Sequence, residues 1–258
     1  SLSGLRHGDL AGFKVALFAA VGAGAIFLVA MNGGQLGVAL LFLLLPLVPM
    51  AAVLRKTHNQ ALALLGAAAG ALVFAVFMRA VIGDVDAYWT ARLASFGESV
   101  VAQGGRFLAA EESAAVANMM HGTTVVLAMM YFLGSVLIGR YWQSALYNPG
   151  GFGEEFRQFR LPKPLLVGAA VVSVFSLFSL NAGTEMGLVE DTLLILMVLF
   201  AIQGLATVHH RVKERGLPCG FLVLLYVFIS FVPHVVGIVL AFIGILDNVV
   251  DFRKLRQP

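Results

Sequence analysis

The chain has 258 residues, of which 60% are hydrophobic and 12% charged, and its mean hydropathy is +0.92. A water-soluble domain carries about a quarter of its residues as charges, so this composition excludes an ordinary soluble domain and points to lipid. The net charge of +3 and pI near 9.2 do not indicate nucleic acid, because the basic residues gather at the ends of apolar runs, where topology uses them. Cys219 is the single cysteine, which excludes an internal disulfide.

One helical span needs roughly 20 apolar residues, so the length accommodates about six to eight spans with their loops. Strand-period alternation does not recur, which argues against an outer-membrane barrel. The expected fold is therefore all-α, a polytopic membrane protein with a single membrane domain over 1–258. Ser1 to Leu10 lacks the layout of a signal peptide.

The first apolar run extends from Phe13 to Met31 and turns at Asn32-Gly33-Gly34. The second, Gln35 to Leu54, carries Pro46 and Pro49, which remove backbone donors and kink a helix. A third is expected over Ala61 to Ile82, a fourth over Asn118 to Ile138, a fifth over Leu165 to Leu180 and a sixth over Val189 to Val208. Pro218 to Leu246 is too long for one simple span and has Pro233-His234 at its centre. It reads either as two short helices hinged there or as one long tilted helix. The hinged reading brings the total to about eight segments. Arg55, Lys56, Arg140, Arg157, Arg160, Lys163, Arg211, Lys213 and Arg215 fall on one side of this layout, which predicts cytoplasmic N- and C-termini.

Two segments outside the spans are amphipathic. In the external stretch 84–117, Trp89, Leu93, Phe96 and Val100 fall on one helical face. It reads as a helix lying on the outer leaflet or as a lid over an outward-facing pocket. In the cytoplasmic loop 140–164, a turn over Asn148 to Gly151 precedes Phe152, Phe156 and Phe159 at helical spacing, flanked by Arg157 and Arg160. Such a face suits anionic headgroups or a groove in a partner protein.

Ionisable groups inside a bilayer are costly and mark candidate sites. Arg79 is explained by snorkelling or by pairing with Asp84 or Asp86, and Glu190 and Asp191 by the dipole at a helix start. Asn118 and His121 lie one turn apart. Together Arg79, Trp89, Asn118, His121 and Glu190 form a candidate ligand pocket at the outer end. Adjacent His209 and His210 diverge on a helix and cannot chelate one ion together, so no metal or other cofactor is expected. The sequence carries no nucleophile elbow, and the glycines at 150–153 lack a phosphate-gripping ending, so no enzyme class is indicated. Gln203 is expected to bond a neighbouring helix, with His209 below it. Asp247, Asp251 and Arg253 fix a helix end at the interface. Ala16, Ala20 and Ala23, and later Gly66 and Gly70, form small-residue faces for close helix approach, within the chain or between copies.

Three stretches carry a resemblance: Tyr147-Asn148-Pro149-Gly150-Gly151-Phe152-Gly153-Glu154-Glu155-Phe156-Arg157, Gln203-Gly204-Leu205-Ala206-Thr207-Val208-His209, and Gly244-Ile245-Leu246-Asp247 with Asp251-Phe252-Arg253-Lys254. They resemble the YybS-like family of bacterial inner-membrane proteins, whose layout is similar to the substrate-binding subunits of energy-coupling-factor transporters. The resemblance implies a small-molecule-binding subunit in the inner membrane. It also implies docking through Ala16, Ala20 and Ala23 on a membrane coupling protein driven by ATPases. The alternative is a non-transporting scaffold that recruits a partner through Asn148, Gly151, Phe152, Phe156, Arg157 and Phe159.

Overall fold

A computed structural model describes residues 46–57, 59–181, 187–250 and 252, with scattered positions between 10 and 22. Most of the expected first and second spans, the face at Ala16, Ala20 and Ala23, and the tail residues Asp251 and Arg253 lie outside the described residues. Among the described residues from 46 onward, nine helices follow one another: α1 Leu47–Thr57, α2 Gln60–Ile82, α3 Val85–Ala102, α4 Ala110–Tyr147, α5 Gly151–Gln158, α6 Lys163–Asn181, α7 Gly187–Glu214, α8 Gly220–Phe231 and α9 Pro233–Val250. No strand occurs among the described residues.

Four of these helices, α2, α4, α7 and α9, are long and apolar enough to cross a bilayer. Helices α5 and α6 make a fifth candidate if the pair, bent by 53°, counts as one broken span. The region 218–246 is divided as the proline suggests: α8 has 12 residues, Val232 interrupts, and α9 begins at Pro233. By itself α8 is short of the roughly 20 residues a span needs. Helix α4 extends beyond the expected Asn118–Ile138 at both ends. Its 38 residues give about 57 Å of helix, well over the hydrocarbon thickness.

The exterior departs from that of a soluble bundle, being apolar like the core it surrounds. Large apolar side chains such as Leu127, Phe178 and Phe231 are exposed, while Asp191, Gln203, Asp247 and Asn248 are buried. This is the distribution expected of a bundle whose solvent is lipid. The shell gains nothing by turning apolar groups inward, and polar groups are tolerated only where the protein itself supplies partners.

Small residues set the close contacts. Helix α2 buries Ala63, Ala67, Gly70, Ala71 and Ala75 on one face, against Met50 of α1 and Phe132 of α4. A Cβ on Gly70 would come within 2.7 Å of Met50 Cε. The stripe anticipated at Gly66 and Gly70 is thus spent inside the chain, while Ala69 points outward. The tightest crossing is between α7 and α9. A Cβ on Gly204 would overlap the Leu240 carbonyl, and one on Gly244 the Phe200 carbonyl.

The segment between α2 and α4 folds back on α4. Gly83 adopts φ 74, and Asp84 Oδ1 accepts from Ala87 N at 2.9 Å to start α3. Gly104 takes φ 81, and Gly105 N bonds the Val100 carbonyl, closing the helix end. Gly97 lies against the Phe107 ring, which meets Phe96 edge-on at 5.9 Å. Leu93 is buried and Trp89 half-buried, whereas Phe96 remains exposed.

Helix α5 is clamped at its far side. Glu155 accepts from Arg140 Nε at 2.9 Å and from Arg140 Nη2, and from Gln60 Nε2 at 2.8 Å, tying α5 to α4 and α2. Ser144 Oγ donates to the Asn148 carbonyl at 2.6 Å and accepts from Phe152 N at 2.8 Å, which fixes the intervening turn. Paired, charge-assisted bonds of this kind are the strong ones. E155Q keeps the shape but removes the charge facing Arg140. It is expected to cost about 1–3 kcal/mol and to speed proteolysis within 148–162, measured by limited digestion in detergent.

Candidate functional site

Three helices bring one ionisable side chain each to a shared point. Arg79 lies three residues from the end of α2, Asp191 four residues into α7, and His121 eleven residues into α4. Arg79 Nε donates to Asp191 Oδ2 at 2.7 Å, and His121 Nε2 sits 3.2 Å from the same oxygen. The Asp191 and His121 side chains are 2% and 5% exposed, and Arg79 is 26% exposed. Two members are therefore closed in, and the cluster opens to its surroundings over Arg79.

The local sequence explains the placement. Glu190 and Asp191 are neighbours on a helix and differ by about 100° in direction, so only one can face the bundle. Asp191 does, and Glu190 is exposed. On α4, His121 shares its inward face with Ala117, Val125 and Ala128. Asn118, three residues earlier, is exposed.

This arrangement corrects the sequence reading of Arg79. Its partner among the described residues is Asp191, 112 positions away, rather than Asp84 or Asp86. Asp84 is occupied as the α3 cap. Asp191, read from the sequence as an acid favoured by the dipole at a helix start, is the buried carboxylate of the cluster. Of the five candidate pocket residues, Arg79 and His121 each reach Asp191, Asn118 and Glu190 are exposed, and Trp89 stands on α3. The Trp89 indole nitrogen is buried without a partner among the described residues. A pairing of residues so far apart leaves no periodic signal; the sequence marked Arg79 and His121 as ionisable groups in apolar runs but not their partner Asp191.

A second polar centre lies toward the opposite ends of α7 and α9, where α5 and α6 are interrupted. Gln203 Oε1 accepts from Leu161 N at 3.0 Å, and Nε2 donates to the Gly244 carbonyl at 3.0 Å and to Asp247 Oδ2 at 3.1 Å. Asn248 Nδ2 reaches the Leu161 carbonyl and Gln203 Oε1, both at 3.4 Å, and Arg160 donates to the Asp247 carbonyl. Leu161 precedes Pro162 in a non-helical stretch, where backbone groups need partners from elsewhere in the fold. Gln203 supplies one of them from inside the bundle, as broken helices at membrane depth require. Q203L removes four bonds and strands the Leu161 N–H. The expected loss is about 1–3 kcal/mol, checked by thermal unfolding of the purified chain.

The aromatic face of α5 is turned inward. Phe159 is buried, and Phe156 meets His209 edge-on at 5.6 Å and stacks on Phe152 at 6.0 Å. Phe152 in turn meets Tyr141. His209 Nδ1 bonds the Leu205 carbonyl at 2.9 Å, so Nε2 is left to accept from the Tyr226 hydroxyl at 3.2 Å. Gly151 is buried against Asn148. Arg157 lines a cleft of about 400 Å³ with Glu154, Gln158, His210, Lys213 and Glu214, whose charges are mixed in sign.

Fold and interior together define a multi-pass α-helical membrane protein with a buried ionic cluster between three spans. The chain belongs to the family described as predicted membrane protein (DUF2232), whose model matches residues 6–248. No curated protein and no solved structure matches it.

Proposed function

We propose that this protein is a small-molecule-binding subunit of a transport system, non-enzymatic, in the cytoplasmic membrane of a bacterium. The Arg79–His121–Asp191 cluster is its ligand site, and it faces outward. The observation that carries the reading is the convergence of three ionisable side chains from three helices on one carboxylate oxygen, two of them almost fully enclosed. Burying such groups is costly in a membrane. Apolar residues of similar volume often hold such a place with no loss of stability, and a bound ligand gives the three ionisable groups a use. The basic residues at the opposite helix ends, Arg140, Arg157, Arg211 and Lys213, set that side toward the cytoplasm. The scaffold alternative loses its main support, because the Phe152, Phe156 and Phe159 face is used inside the chain.

The test is purification from native membranes in mild detergent, followed by mass spectrometry of retained small molecules and proteins. Wild type is compared with the charge-free pair R79L/D191L. A near-stoichiometric small molecule in wild type that disappears from the variant is the expected result. Co-purification of a coupling membrane protein with ATPases would assign the transporter type. Retention of lipid alone by both proteins overturns the proposal.

A further inference from the structure

Buried His121 and half-buried His209 differ in one respect. His209 has a partner on each ring nitrogen: the Leu205 carbonyl on Nδ1 and the Tyr226 hydroxyl on Nε2. His121 has Asp191 on Nε2, while its Nδ1 is buried and has no partner among the described residues. Buried polar atoms are almost always paired, so each exception asks for an explanation.

The chemistry of the open nitrogen follows from its partner on the other side. A carboxylate only accepts, so Nε2 must carry the proton that points at Asp191 Oδ2. Arg79 already balances the charge of Asp191 through the same oxygen. A second proton on His121 would leave an uncompensated positive charge enclosed in the bundle. The neutral imidazole keeps the cluster neutral, and in that form Nδ1 is a lone pair. The missing partner is a hydrogen-bond donor.

We infer that the cluster takes a small polar solute that donates a hydrogen bond from an amide, amine or hydroxyl group to His121 Nδ1. Resting on the ligand-binding reading above, this assigns the chemical class of the ligand. A ligand with acceptors only, such as a bare carboxylate, meets a lone pair and is rejected there. A transition metal would want several such ligands, and among the described residues no group of three or more His, Cys, Asp and Glu exists to hold one. Entry is over Arg79, the exposed member of the three. Its guanidinium lies beside Gly187 at the start of α7, where the helix dipole suits an acceptor on the same solute. The ligand that fits is thus bifunctional, a donor inward to His121 and an acceptor outward to Arg79, as in a primary amide.

The experiment is ¹⁵N spectroscopy of the full chain in lipid nanodiscs with labelled histidine, the His121 signals being assigned by their loss in H121Q. The probes are acetamide, acetate and Zn²⁺. An unprotonated Nδ1 that shifts toward shielding with acetamide, and with neither of the others, is the expected result. A proton found on Nδ1, a response to acetate or Zn²⁺, or no response to any probe overturns the inference. The molecule retained from native membranes separates this inference from the broader reading. Binding to H121Q about tenfold weaker, the equivalent of one buried hydrogen bond, supports it. Equal binding sinks the donor assignment and leaves the ligand-binding reading standing. If H121Q does not fold, H121N serves for the same comparison.

Discussion

D191N is expected to destabilise the protein by about 3–5 kcal/mol, measured as reversible unfolding from mild detergent or lipid. The substitution is nearly isosteric, so the loss is electrostatic. Arg79 would keep its charge but lose the anion 2.7 Å away, and Arg79 and His121 would share one neutral amide oxygen in place of the carboxylate. The companion pair R79L/D191L removes both charges. It is expected to recover most of that stability, since replacing a buried ion pair by apolar groups of similar volume is often neutral or better. A double variant that is stable but retains no small molecule would separate the cluster's cost from its use. A single variant as stable as wild type would show that Asp191 is not the enclosed anion described here.

G204A is expected to have the second large effect, through geometry alone. A Cβ there would lie 2.7 Å from the Leu240 carbonyl carbon and closer still to its oxygen, and both atoms are backbone. No side chain can rotate away, so α7 and α9 must separate. Overpacking usually costs about 1–3 kcal/mol and sometimes more; the upper end is expected, because Gln203, Gly244 and Asp247 would be drawn apart at the same time. The Leu161 N–H, held by Gln203, would be released as a consequence. Thermal unfolding reads the stability, and faster hydrogen exchange at Leu161 reads the release. G134A provides the control, since a Cβ at Gly134 meets open space. Equal unfolding of G204A and G134A would refute the close crossing.

The helices most legible in the sequence were those bounded by charge or by a special residue. Helix α2 ends where Gly83 follows Arg79 and Ile82, and the break ahead of Pro233 falls where proline removes a backbone donor. The end of α4 was less legible. Its apolar core stops near Ile138, but the helix continues to Tyr147, because polar residues form helix readily once a long helix already exists. The candidate site was half legible: Arg79 and His121 stood out as ionisable groups in apolar runs, whereas Asp191 resembled an ordinary acid at a helix start.

Composition and the length of the apolar runs establish the solvent and the helical class of the segments, though not every helix end. Lipid demands runs of apolar residues with every backbone group satisfied locally, and a helix does this within one segment. The tertiary structure alone decided which faces meet. Helical periodicity records that a residue points to one side, but it holds no record of what stands opposite. Asp191 rather than Glu190 faces Arg79, and the phenylalanines of α5 turn toward His209. Gly204 meets the backbone of α9 instead of a side chain. Each of these depends on contacts between segments tens of residues apart, where packing rather than local propensity sets the energy.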